Sequence, residues 1–198
     1  MLNDVHLMGK LPVQDRDLLS RLSQYFDNLE ARLREAQGWF IFNARRERSA
    51  RITRYITAQL AGFRPLISSY HLVWRDFALQ AYMSEVEMAS WSPTEEVPQP
   101  GNRVEQEHRI ATQVSRGTSF HMLSSDLLIL SGLAPSQAYE VLYLDKIVAT
   151  RHGRHLASIL ITPLMPHELA DRFHLVKGAG DLWQRFLDRM YQTSLIAL

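Results

Sequence analysis

The 198-residue chain contains no cysteine, which excludes a disulfide framework, a thiol nucleophile and cysteine-ligated zinc together. Charge of one sign is also lacking. Lys and Arg number 22 against 21 Asp and Glu, a formal charge of +1, so any basic function must come from local clustering. No apolar run approaches the roughly 18 residues that cross a bilayer. Residues 1–17 lack the basic start and long apolar stretch of a secretory signal. The expectation is a soluble, cytoplasmic protein with no membrane contact. Proline is concentrated in 92–101, which holds three prolines and a glycine; this stretch must be loop, within a Pro-rich connection taken as 92–104.

Hydrophobic residues make up 46% of the chain, enough to bury a core. Over 15–37, Leu18, Leu19, Leu22, Tyr25, Phe26, Leu29, Leu33 and Ala36 line one stripe of a helix, with Gly38 as its stop. The run Trp39, Phe40, Ile41, Phe42 has no polar alternation and suits a strand buried on both faces. A polar loop over 43–49 and a helix carrying Ile52, Ile56 and Leu60 follow. Further strands are expected over 66–74, 126–130, 157–161 and 195–198, while 76–88 is ambiguous. Helices are expected over 135–150, with a turn at 151–154, from Pro166, and around Leu182, Phe186 and Met190. Strands alternating with helices indicate an α/β fold with a mainly parallel sheet.

The second half resembles AAA+ ATPases of the bacterial helicase-loader type, which include the ATPase partners of insertion-sequence transposases. The resemblance rests on the strand 126–130, the helix and turn of 144–154, the strand ending at Ile161 and Thr162, and the segment Arg185, Phe186, Leu187, Asp188, Arg189, Met190. It implies a single AAA+/RecA-like domain over 1–198, of P-loop-like three-layer α/β/α design, preceded by an N-terminal helical extension at 1–37. It also implies a phosphate loop near 43–50. A phosphate loop needs glycines, a Lys and a Ser or Thr. At the corresponding places stand Arg48 for the second glycine, Ser49 for the lysine and Ala50 for the hydroxyl residue. Ser131 and Gly132 stand where the carboxylates should follow Leu130, and Pro163 where an Asn should follow Thr162. The resemblance therefore implies a non-hydrolysing protein with no catalytic residues, no cofactor and no metal. It would act as an accessory subunit in DNA replication, repair or transposition, bound to a protein partner in a homo- or hetero-oligomer. Two alternatives stay open: an active ATPase with a divergent site, and a RecA-like cell-division inhibitor of the SOS response acting by protein binding.

Arg45, Arg46, Arg48, Arg51 and Arg54 put five guanidiniums within ten residues. Guanidiniums beside a helix N-terminus suit a phosphate, such as that of a DNA backbone; the competing reading is a solvated face paired with Glu30, Glu35 or Glu47. Arg185 and Arg189 lie where related ATPases place arginines that reach a neighbour's nucleotide, so they are candidates for action in trans. Pairing with Asp181 or Asp188 is the simpler reading. The histidine pairs 152/155 and 167/174 lack a carboxylate cluster in metal-ligand spacing. Asp15 and Asp17, like Glu95 and Glu96, read as surface charge. Trp39, Trp74 and Trp183 read as core; Trp91, beside the Pro-rich stretch, could anchor a partner.

Overall fold

In the computed structural model, which describes residues 12–63, 67–87, 115–177 and 181–198, the apolar runs become strands. These are β1 (Gly38–Ile41), β2 (Ser69–Val73), β3 (Leu127–Ser131), β4 (Ala157–Ile161) and β5 (Ser194–Ala197). They form one five-stranded sheet in the order β2-β3-β4-β1-β5, and every pairing is parallel. The central strands β1, β3 and β4 are buried at every position, as an all-parallel sheet covered on both faces requires. Trp91 and the Pro-rich connection at 92–104 lie outside the described residues.

The pleat divides the core in two. Trp39, Ile41, Leu127, Ile129, Ile159 and Ile161 face α1 (Val13–Asp27), α2 (Leu29–Arg34) and α3 (Arg46–Ala61). Phe40, Phe42, Leu128, Leu130 and Leu160 face the other layer. That layer consists of α4 (Trp74–Tyr82), α5 (115–124), α6 (Ala138–Gly153), α7 (Pro166–Phe173) and α8 (Leu182–Thr193). The result is a three-layer α/β/α arrangement.

Several boundaries differ from the sequence expectation. The single helix over 15–37 is two helices, broken at Asn28, where the backbone leaves helical geometry at φ −122°. Its stop is not Gly38. Ala36 takes the left-handed conformation at φ 53°, while the Gln37 N–H reaches Arg32 O and the Ala36 N–H reaches Leu33 O, the bond pair that closes a glycine-ended helix. The loop over 43–49 is shorter than expected, because α3 already begins at Arg46; no Gly or Pro there opposes helix, and Glu47 favours the positive first turn. The turn expected at 151–154 is the last turn of α6. Of the ambiguous 76–88, the described residues to Glu87 form the remainder of α4 and a π-helical turn, Met83–Glu87.

The first helix is docked on the domain. Leu18, Leu22, Tyr25 and Phe26 are at most 3% exposed. At about 1.5–3 kcal/mol per buried side chain, roughly 6–12 kcal/mol holds α1 before entropy is counted. That is comparable with the roughly 5–15 kcal/mol stability of a whole domain. The Arg21 guanidinium adds a contact over the Trp39 ring, 5.1 Å from its centre. No described helix is long and apolar enough to cross a membrane.

Candidate functional site

Ligands of open parallel sheets bind beyond the carboxyl ends of the strands. Here β1, β4 and β3 end side by side, which brings 42–45, 162–164 and 131–133 together. The polar backbone of this edge is satisfied internally. Thr162 N–H donates to Ile41 O at 2.8 Å, Ala44 N–H to Thr162 O at 2.8 Å, and Asn43 N–H to Leu164 O at 3.0 Å. Phe42 N–H reaches Ala197 O, and Leu133 N–H reaches Ile161 O. The Thr162 hydroxyl donates to Leu133 O at 2.6 Å and accepts from Leu164 N–H. The loop after β1 thus runs as an extension of the ladder, and the N–H groups of Phe42, Asn43 and Ala44 point into neighbouring carbonyls.

The loop still makes its turn through left-handed backbone, at Asn43 (φ 52°) and Arg46 (φ 39°). Asn tolerates this conformation; for Arg it costs on the order of 1–3 kcal/mol.

The five arginines divide into three groups. Arg48 folds back on the loop, donating to Asn43 O at 3.1 Å, to Phe42 O at 3.4 Å and to Leu198 O at 2.9 Å. Its Nε lies 2.9 Å from Asp15 Oδ1, an ion pair whose N–H is not aimed at the oxygen, since Nε has no hydrogen-bond partner. Arg51 completes the clamp on Asp15 Oδ2 at 2.5 Å and leans toward Glu47. Asp15, expected on the surface, is 6% exposed: α1 turns it inward onto these two guanidiniums. Arg45 bonds Pro163 O and approaches Glu168 at 3.7 Å. Arg46 and Arg54 are exposed and have no ion-pair partner among the described residues. The arginines' partners are therefore Asp15, Glu47 and Glu168, not Glu30 or Glu35.

On α8, Arg189 pairs with Asp145 of α6, not with Asp181 or Asp188. Arg185 is exposed on the same helix.

Beside β3 the edge opens into a groove of about 540 Å³, lined by Ser49, Trp74, Arg75, Ser131, Ser136 and Glu140 among others. Such a volume admits a small ligand. Its one lining carboxylate, Glu140, is 4% exposed. It caps α6, accepting from Ser136 N–H at 2.6 Å and Gln137 N–H at 3.3 Å. No group of three or more His, Cys, Asp and Glu able to hold a metal occurs among the described residues.

Sequence reasoning missed Glu140, which looks like any helical glutamate, and the pair His71–Ser131. The His71 ring nitrogen Nε2 lies 2.9 Å from Ser131 Oγ, and desolvation lowers the imidazole pKa below its usual 6.5. The fold thus favours neutral His71 and the unfolded chain binds the extra proton. Its contribution to stability is complete above about pH 6.5 and is lost as pH falls below that value. His71→Gln should flatten that part of the decline, read as urea midpoints at pH 7.5 and pH 5. Parallel slopes for variant and parent would contradict it.

No family model and no curated protein matches this chain. Solved structures do resemble it. The DnaI crystal structure aligns over 100% of this chain and 94% of its own, with a TM-score of 0.61 and 12% identity. The crystal structure of the DnaC helicase loader aligns over 94% of this chain and 90% of its own, at 0.57 and 15%. AMPPCP-bound DnaA from Aquifex aeolicus aligns over 96% of this chain but 49% of its own, at 0.56 and 14%. The described residues therefore share the fold of the DnaI and DnaC structures, a three-layer α/β/α arrangement on a parallel sheet.

Proposed function

We propose that this chain is a non-hydrolysing interaction subunit of a cytoplasmic DNA-replication assembly, bound to a protein partner and touching DNA phosphates. One observation carries the reading without hydrolysis. The N–H groups of Asn43 and Ala44 are spent on β4-side carbonyls, and Arg48 grips the loop's own carbonyls. A phosphate cradle needs those N–H groups free and a Lys among them, and Ser49 stands in the lysine's place. The place in replication is supported by the shape shared with DnaC, DnaI and DnaA.

Arg46 and Arg54 are two helical turns apart on α3, about 12 Å along its axis, and are the DNA contacts of this reading, with Arg45 at their flank. Arg185 is the residue offered to a partner's nucleotide in trans. The competing reading, a divergent ATPase, draws on the groove beside β3, with Glu140 as its only carboxylate.

The test has two arms on one preparation. Magnesium-ATP is expected to leave the melting temperature unchanged and to release no phosphate. A ligand at 100 times its Kd would add about 2.7 kcal/mol, roughly 5–10 °C in a domain of this size. Such a rise would establish nucleotide binding, and phosphate release would establish the ATPase instead. In the second arm, Arg46→Gln with Arg54→Gln should make the salt dependence of DNA affinity shallower by about 1.4–1.8 in log–log slope. Absence of DNA binding by the parent at low salt removes DNA from the proposal.

A further inference from the structure

Asp15 is the only buried residue in the first five positions of α1, and Val13 beside it is 73% exposed. No side chain caps this helix end. From Leu18 onward the same helix is anchored by Leu18, Leu22, Tyr25 and Phe26. The helix therefore has two parts of unequal strength: a first turn held by one carboxylate, and a body held by the core. Local opening begins where few apolar contacts hold the backbone.

The carboxylate sits between two guanidiniums of α3, bonded by Arg51 and ion-paired with Arg48. The buried Arg48 Nε keeps an unused N–H beside it. Two forked cations around one oxyanion form the arrangement that also grips phosphate. The space between Asp15, Leu18, Leu19, Arg48, Arg51 and Ile52 is about 10 Å³, at the lower limit for one water. Nothing larger enters unless Asp15 leaves. Arg48 reaches Leu198, beside β5, so this place lies across β1 from the groove at β3.

We propose that Arg48 and Arg51 form an oxyanion site which the chain occupies with its own Asp15, and that unwinding of 13–17 hands the site to a phosphodiester group. The device rests on the DNA reading above for its ligand. It adds two cations to the Arg46 and Arg54 surface on the same helix when the first turn opens, with the body of α1 still docked.

Four full-length proteins test it: the parent, Asp15→Asn, Asp17→Asn and Asp15→Asn combined with Arg48→Gln and Arg51→Gln. Asp17 is exposed with no arginine partner among the described residues, so its variant matches the charge change alone. The first probe is inorganic pyrophosphate, by calorimetry; the second is a single-stranded oligonucleotide, by anisotropy over a salt series. Asp15→Asn should bind pyrophosphate about tenfold more tightly than Asp17→Asn, equivalent to about 1.4 kcal/mol. Its oligonucleotide salt slope should steepen by about 1.4 for two freed cations. The combined variant should lose both gains.

Equal pyrophosphate affinity for the two aspartate variants overturns the proposal. A pyrophosphate gain without oligonucleotide binding keeps the masked site and discards the DNA reading. Should Asp15→Asn not fold, the parent still decides: saturating pyrophosphate must speed amide exchange over 15–21, whose N–H groups bond the carbonyls of 12–17, while 22–26 stays protected. Unchanged exchange over 15–21 counts against it.

Discussion

Arg151→Ala is expected to remove most of the domain's stability, on the order of 3–6 kcal/mol, from the loss of several buried donors at about 1–3 kcal/mol per stranded carbonyl. Arg151 is 0% exposed and has no carboxylate in ion-pair range among the described residues. Its Nη1 donates to Met122 O at 2.7 Å and Ser125 O at 3.0 Å, its Nη2 to Ala157 O, and its Nε to Ser158 Oγ at 3.0 Å. One side chain thus ties the end of α5, the entry to β3 and the start of β4. Burial lowers the guanidinium pKa to about 10, with Asp126 opposing, so at neutral pH the group remains protonated and all its donors remain in place. Arg151→Met separates the donors from the volume: it refills much of the space and offers no hydrogen bond. Urea midpoints for Ala, Met and Lys variants should all fall well below the parent. Lys should recover only part, because an ammonium cannot reproduce the planar fork. A Met variant within about 0.5 kcal/mol of the parent would mean that packing, not carbonyl satisfaction, is the residue's contribution.

Gly38→Ala should be of similar size, for a steric reason. A Cβ at this position would stand 1.9 Å from Ser158 O and within 3 Å of two more backbone atoms of that residue. Nothing there can rotate away, so β1 and β4 must separate where they pair through Trp39 and Ile159. Overpacking in ordinary cores costs about 1–3 kcal/mol. A clash against backbone between two central strands belongs at or above the top of that range. Loss of near-ultraviolet ellipticity from Trp39, which is fully buried beside this contact, would report the opened pair. A variant with parental midpoint and spectrum would show that the two strands lie farther apart than described.

The central strands were legible because they are buried on both faces of the parallel sheet, and a run such as Leu127, Leu128, Ile129, Leu130 has no other comfortable place. The meeting of the three strand ends followed from the alternation of strand and helix together with the helicase-loader resemblance. The rest depends on long-range contacts that leave no local trace. Arg151, in a polar quartet beside Gly153, reads as a turn; its burial needs carbonyls from three separate segments. Asp15 reads as surface charge because its partners are 33 and 36 residues away, on another helix. Gly38 reads from the sequence as a helix stop, and only the neighbour it meets in space, the Ser158 backbone, shows that close packing is what requires it.

The sheet order has a consequence for synthesis. The strand carrying Trp39 and Phe40 hydrogen-bonds only to strands that lie about 120 and 155 residues further along the chain. At about 5–20 residues per second, ribosomes need roughly 6–24 s to deliver the nearer one. For that interval four consecutive apolar side chains wait without their hydrogen-bonding neighbours, so the nascent polypeptide is most open to chaperones and to self-association early, well before its arginine-rich helix has a sheet to rest on.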